Sequence, residues 1–237
     1  MKKPVIIFAI LLFAVFIIPA AIFGQGPTTA ERVTAFKQTL GQNKMALGKY
    51  EWIETTTVSL KGEVKSVKQN RCYYGSDGKV QKVEIPAAAP PQEQSSGRGG
   101  RLKKKIVANK KEEMSDYMKK AVALIQQYVP PNPDLINYSK ETNNIQVGQP
   151  DSNGVISINI PNYMLNGDSL AAMLNVKNNT IVTVNVATYV EKPSDAVTLA
   201  VTFSQLPDGT SYAGTSVLDA KSKNIKVVIE NSGHRPM

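Results

Sequence analysis

Residues 180–205 read TIVTVNVATYVEKPSDAVTLAVTFSQ. Val182, Val184, Val186 and Val190 fall on one side of an extended chain, and past the turn formers Lys192-Pro193-Ser194-Asp195 the residues Val197, Leu199, Val201 and Phe203 do the same. Thr198, Ala200, Thr202 and Ser204 stand opposite the second set. A period of two in β-branched residues predicts strands with one apolar and one wet face, the pattern of an antiparallel sheet buried on one side. Further turn signals at 152–154, 166–168, 178–179, 207–209 and 221–224 extend this hairpin rhythm over the C-terminal ninety or so residues. With a short strand near 145–148, the whole chain is expected to hold nine or ten strands.

The same period appears upstream. YEWIETTTVSL (50–60) places Tyr50, Trp52, Thr56, Val58 and Leu60 on one face, Lys61-Gly62 turns the chain, and EVKSVKQNRCYY (63–74) returns. Asp77-Gly78 is a strong hairpin signal, followed by a third strand, VQKVEI (80–85). Two helices interrupt the strands. The first runs from the Thr28/Glu31 capping pair, with Val33, Phe36, Leu40 and Leu47 on its apolar face and Gly41 weakening its middle. The second carries Met114, Tyr117, Met118, Ala121, Ile125 and Tyr128 as a stripe, and the PPNP at 130–133 stops it. A short third helix is expected after Pro133.

The N-terminus indicates export. MKKP is followed by an apolar run and then by PAAIFGQG, the order of a secretory signal peptide, here assigned to residues 1–24. An uncleaved anchor over Val5–Phe23 is the other reading, since that length just spans a bilayer. Either way residues 25–237 form a single exported domain. With Cys72 as its one cysteine the domain has no internal disulfide and must stand on a hydrophobic core.

The formal net charge is +9, and a basic stretch, GRGGRLKKKIVANKK, occupies 97–111. It adjoins a Pro-, Gly- and Ser-rich segment, and residues 86–105 read as a flexible insertion. In an exported protein such a cluster suits anionic lipid rather than nucleic acid. Arg98, Arg101, Lys103, Lys104 and Lys105 are therefore the candidate membrane-surface residues. A single histidine, His234, close to the end and read as a solvated tail residue, leaves no Ser-His or Cys-His constellation and no conventional zinc set. The acids lie mostly in turns or on an exposed helix face. The chain is not expected to be an enzyme or to carry a metal or cofactor, and Cys72 is expected to be a quiet, half-buried thiol.

Too few helices are present to cover a flat ten-stranded sheet. The fold class expected is α+β, a long curved antiparallel sheet, or half-barrel, with amphipathic helices in its concave face. This layout resembles the LolA-like periplasmic lipoprotein-carrier superfamily, through the export signal, the helix ERVTAFKQTLGQNKMAL, the long hairpin YEWIETTTVSLKGEVKSVKQNRCYYGSDGK, the mid-chain helices and the closing meander. An uncharacterised exported family with the same half-barrel would show the same order of elements. The resemblance implies a monomeric carrier of a hydrophobic ligand, a lipid or an acylated protein, and transfers no individual binding residue. From the pattern of apolar faces, Trp52, Val58, Met118, Ile125, Val184, Val201 and Phe203 are the candidate lining of a ligand hollow. The alternative is a structural or interaction protein of the cell envelope whose hollow is solid core.

Overall fold

The structure, a computed structural model, describes residues 29–86 and 100–237, with side-chain burial described for 38–86 and 112–237. The signal-peptide assignment, Arg98 and most of the insertion lie outside the described residues.

Helix α1 (Thr29–Leu47) leads into strands β1 (Tyr50–Leu60), β2 (Glu63–Tyr74) and β3 (Val80–Ile85). Helices α2 (Gly100–Ile125) and α3 (Pro133–Glu141) follow. The meander is β4 (Gln146–Val147), β5 (Val155–Pro161), β6 (Ser169–Asn175), β7 (Thr180–Tyr189), β8 (Ala196–Gln205), β9 (Ser211–Ala220) and β10 (Ile225–Pro236). All ten strands form one antiparallel sheet in the order β3-β2-β1-β10-β9-β8-β7-β6-β5-β4. The first three strands thus extend the meander from its far end, because β1 pairs along its length with β10.

Helix α2 begins at Gly100. The last residues assigned to the flexible insertion, including Arg101 and Lys103–Lys105, are therefore helical in backbone. Arg, Leu and Lys are good helix formers, which lets the helix extend back through this stretch. Asn132 caps α3, its side chain accepting from the Asp134 N–H, and Pro133 opens the helix where a missing N–H costs nothing.

The core lies between α2, α3 and the β5–β10 part of the sheet. Tyr117, Ala121 and Ile125 of the predicted stripe, with Val122 and, past the end of α2, Tyr128, are buried with Ile156, Ile158, Ile160, Leu170, Leu174, Val184, Val186, Val197, Leu199 and Val201. Met114 and Met118 pack at its margin. At about 25 cal/mol per Å² of apolar surface, each such fully buried Ile, Leu or Val contributes roughly 1.5–3 kcal/mol. One predicted face shifts. The β6–β7 register slips between Met173 and Leu174, so two residues of β7 oppose a single step of β6. Ile181 takes the buried position and Val182 is left half-buried, while Val184 and Val186 remain inside.

A buried polar knot joins the turn after α2 to the sheet. The Asp168 carboxylate accepts the Tyr128 hydroxyl and the N–H groups of Met164 and Leu165, and the Tyr128 oxygen also meets Thr188 Oγ1 at 2.8 Å. Burial and this carboxylate push the Tyr128 phenol well above its usual range.

A candidate ligand groove beneath the first helix

The C-terminal half of α1 lies over the sheet end formed by the starts of β7 and β9 and the ends of β2 and β8. Thr39, Leu40, Asn43, Lys44 and Leu47 roof an open cavity of about 110 Å³ whose floor includes Tyr74, Ile181, Phe203 and Tyr212. A second hollow of about 80 Å³ continues it past Leu47, Tyr74, Tyr212 and Ala213 to Trp52, Glu54, Asn231 and His234. Tyr74 on β2 and Ile181 on β7 lie five strand spacings apart, roughly 24 Å along a flat sheet. That they border one cavity reflects the curvature of the sheet around α1.

The inner end is aromatic. Trp52 lies 5.7 Å from Tyr74 and stacks on His234 at 5.8 Å between ring centroids, and His234 meets Tyr212 at 4.0 Å. A bulge on β10 makes this possible. Gly233, at φ 62°, adds a residue opposite Trp52 and turns His234 onto the indole. His234 is therefore part of a strand and half-buried, not a solvated tail, and burial holds its imidazole below the usual range. A residue three from the end in a Gly-containing segment gives no sequence signal of this. Only the alternation continuing through β10 could have suggested it. Asn231 fixes the tryptophan, accepting from Trp52 Nε1 at 3.0 Å while donating to the Ala213 carbonyl at 2.8 Å.

Beside the aromatic end sits a buried ion pair. Lys82 Nζ lies 2.6 and 2.7 Å from the two Glu54 oxygens, and Asn70 donates to Glu54 at 3.4 Å. Cys72 lies between Trp52 and Lys82 in the ladder, fully buried rather than half-buried, and desolvation pushes its thiol up to about 11.

The seven predicted lining residues divide. Trp52 and Phe203 border the groove. Ile125, Val184 and Val201 are packed inside the core, and Val58 and Met118 are half-buried against it. Leu40, Leu47, Tyr74 and Tyr212, which the sequence reading did not place in the lining, also border the groove. Leu40 and Leu47 had been assigned to the apolar face of α1, which was the available signal.

Helix α1 is held lightly. None of its described side chains is fully buried, and Met45 is 69% exposed. One anchor is Asn43, whose amide donates to the Ser211 carbonyl at 2.7 Å and accepts the Ser211 N–H. By contrast, α2 is built into the core.

Fold and groove together define an α+β open-sheet protein with an aromatic-lined hollow under one helix. No protein-family profile and no curated protein matches the sequence. Among solved structures, the chain is similar to a DUF1329 family protein from Desulfovibrio piger ATCC 29098. The identity is 11%, the match covers 86% of this chain and 92% of that one, and the TM-score is 0.41.

Proposed function

We propose that this is an exported binding protein of the LolA-like kind that takes a hydrophobic ligand, a lipid or acyl chain, into the groove under α1, with α1 as its movable cover. The observation that carries this reading is the contrast between the two helices over one apolar sheet face: α2 is core, while α1 roofs an aromatic groove with no described side chain fully buried. Size decides what the closed form admits. An apolar cavity of about 150 Å³ holds one benzene. The two hollows of the groove, at about 110 and 80 Å³, are each smaller than that, so the closed form has no room for an acyl chain until α1 lifts. Leu40, Phe203, Tyr74 and Tyr212 would then line the opened site. Arg98, Arg101 and Lys103–Lys105 would steer the protein toward anionic lipid.

The solid core under α2 favours a second reading, a structural or interaction protein of the cell envelope with no ligand. Titration of delipidated protein with a fluorescent fatty acid separates the two. Saturable binding that is lost in Phe203→Asp, while the fold is retained, supports the carrier reading. Absence of binding at any concentration supports the second.

A further inference from the structure

We infer that the sheet end opposite the groove is a docking face for an anionic bilayer surface, made by lysines at the tips of three turns. Lys61 stands in the β1–β2 turn, Lys192 in the β7–β8 turn, and Lys221 and Lys226 flank the β9–β10 turn. The first and last of these turns touch, since the Lys61 N–H donates to the Asn224 carbonyl at 2.8 Å. All four lysines are exposed, and none is in an ion pair with a described residue. Nearby acids are largely engaged: Glu63 by Lys65, Glu191 by Lys120 at 3.6 Å, and Asp195 by the hydroxyls of Tyr117 and Ser222. Two counter-charges remain close by: Asp219, opposite Lys226 in the ladder, and Glu63, whose carboxylate also feels Lys61 across the β1–β2 turn.

A second observation marks Lys61 itself. Its φ is +53°, in the left-handed region. The other non-glycine residues in that region among those described are Asn143, Asn162, Asn179 and Asn224. Asparagine is the residue that tolerates this conformation, and Asn-Gly is the favoured pair for a two-residue hairpin of this kind. Lys61-Gly62 keeps a strained lysine where asparagine would be more stable. A lysine held in the left-handed region at an exposed turn tip, with no ion pair to a described residue within 4 Å, is a residue kept for its charge rather than for the stability of the turn.

Turn tips from one end of a sheet present several cations to one plane, which suits a charged surface better than a small anion. The groove lies at the other end, roughly 30 Å away along ten-residue strands at about 3.4 Å per residue. Docking by the lysine end therefore leaves α1 and the groove facing away from the bilayer. This inference stands independently of the groove ligand, because the two use different residues.

The test is binding of the full chain to vesicles of equal parts phosphatidylglycerol and phosphatidylcholine, against vesicles of phosphatidylcholine alone. The ratio cancels any contribution of the apolar residues 5–23, common to every variant. Each lysine near an anionic surface is worth about fivefold in binding, so the triple variant Lys61→Asn, Lys221→Gln, Lys226→Gln should lower the ratio on the order of a hundredfold. Lys61→Asn alone should lower it about fivefold while raising the melting temperature, a pairing that loss of fold cannot produce. The control Lys49→Gln, Lys79→Gln, at the groove end, should leave it within twofold. A triple variant that binds like the parent overturns the inference, as does a control that falls equally, which would mean net charge alone. Wild-type protein with no preference between the vesicles, but with Lys61-dependent binding to a soluble polyanion, would also overturn it.

Discussion

Asn43 and Ser211 are 168 positions apart, yet the side-chain amide of one completes the backbone of the other as a neighbouring strand would. This clamp fixes the closed position of α1. Asn43→Ala leaves both backbone groups of Ser211 without their partner and should lower the local stability of α1 by about 1–2 kcal/mol. Amide hydrogen exchange would show it as faster exchange through residues 38–47, with the α2 and β7 amides unchanged. Ligand entry should quicken in the same variant.

Gly41 offers the opposite change. It lies inside α1, and a Cβ there would meet nothing within 4 Å. Gly41→Ala should stabilise the helix by about 1 kcal/mol. If α1 opens on its own, exchange in the helix should slow while the global melting temperature moves little. If α1 unfolds only with the whole domain, the gain should instead appear as a rise of about 2–4 °C.

The Glu54–Lys82 pair gives a third test. Both side chains are nearly inaccessible, at 8% and 11%. Breaking such a pair from one side leaves a buried uncompensated charge, so Glu54→Leu and Lys82→Met should each destabilise by about 3 kcal/mol. The double variant should recover most of that loss, because the desolvation cost of both charges disappears with them. Denaturant titration of the four proteins measures the coupling.

Cys72 sets the alkaline limit. The folded thiol keeps its proton up to about 11, whereas an unfolded one loses it near 9. Between those values the folded state binds more protons, so stability falls as pH rises through this window, by about 2–3 kcal/mol once titration is complete. Burial raises Tyr74, Tyr128 and Tyr163 as well, which continues the same trend at higher pH. Cys72→Ser should flatten the first part of the decline. In the native protein Cys72 should resist a thiol reagent at pH 8 and react fully in denaturant.

Much of this fold was legible because its strands are long and their turns carry specific residues. The bounds of β1, β2 and β3 follow from alternation ended by Lys61-Gly62, Asp77-Gly78 and Pro86. The pairing of β1 with β10 was not legible, since it joins segments separated by most of the chain and no local preference encodes it. Bulges hid two further features. One in β7 exchanged Val182 for Ile181 on the buried face, and one at Gly233 turned His234 toward Trp52. A period-two reading assumes an unbroken pleat, so each bulge reverses the assignment beyond it. The candidate site was legible only at Trp52 and Phe203. Apolar alternation marks a buried face, but does not tell a packed stretch such as Val184 and Val201 from one facing a groove, which depends on where each helix lies.

The central claim is that the groove under α1 holds a hydrophobic ligand. Native mass spectrometry of residues 25–237, purified gently, tests it most directly. The account predicts an added mass matching one phospholipid or fatty acid, diminished in Phe203→Asp. A bare monomer mass that persists after incubation with lipid extract would contradict it.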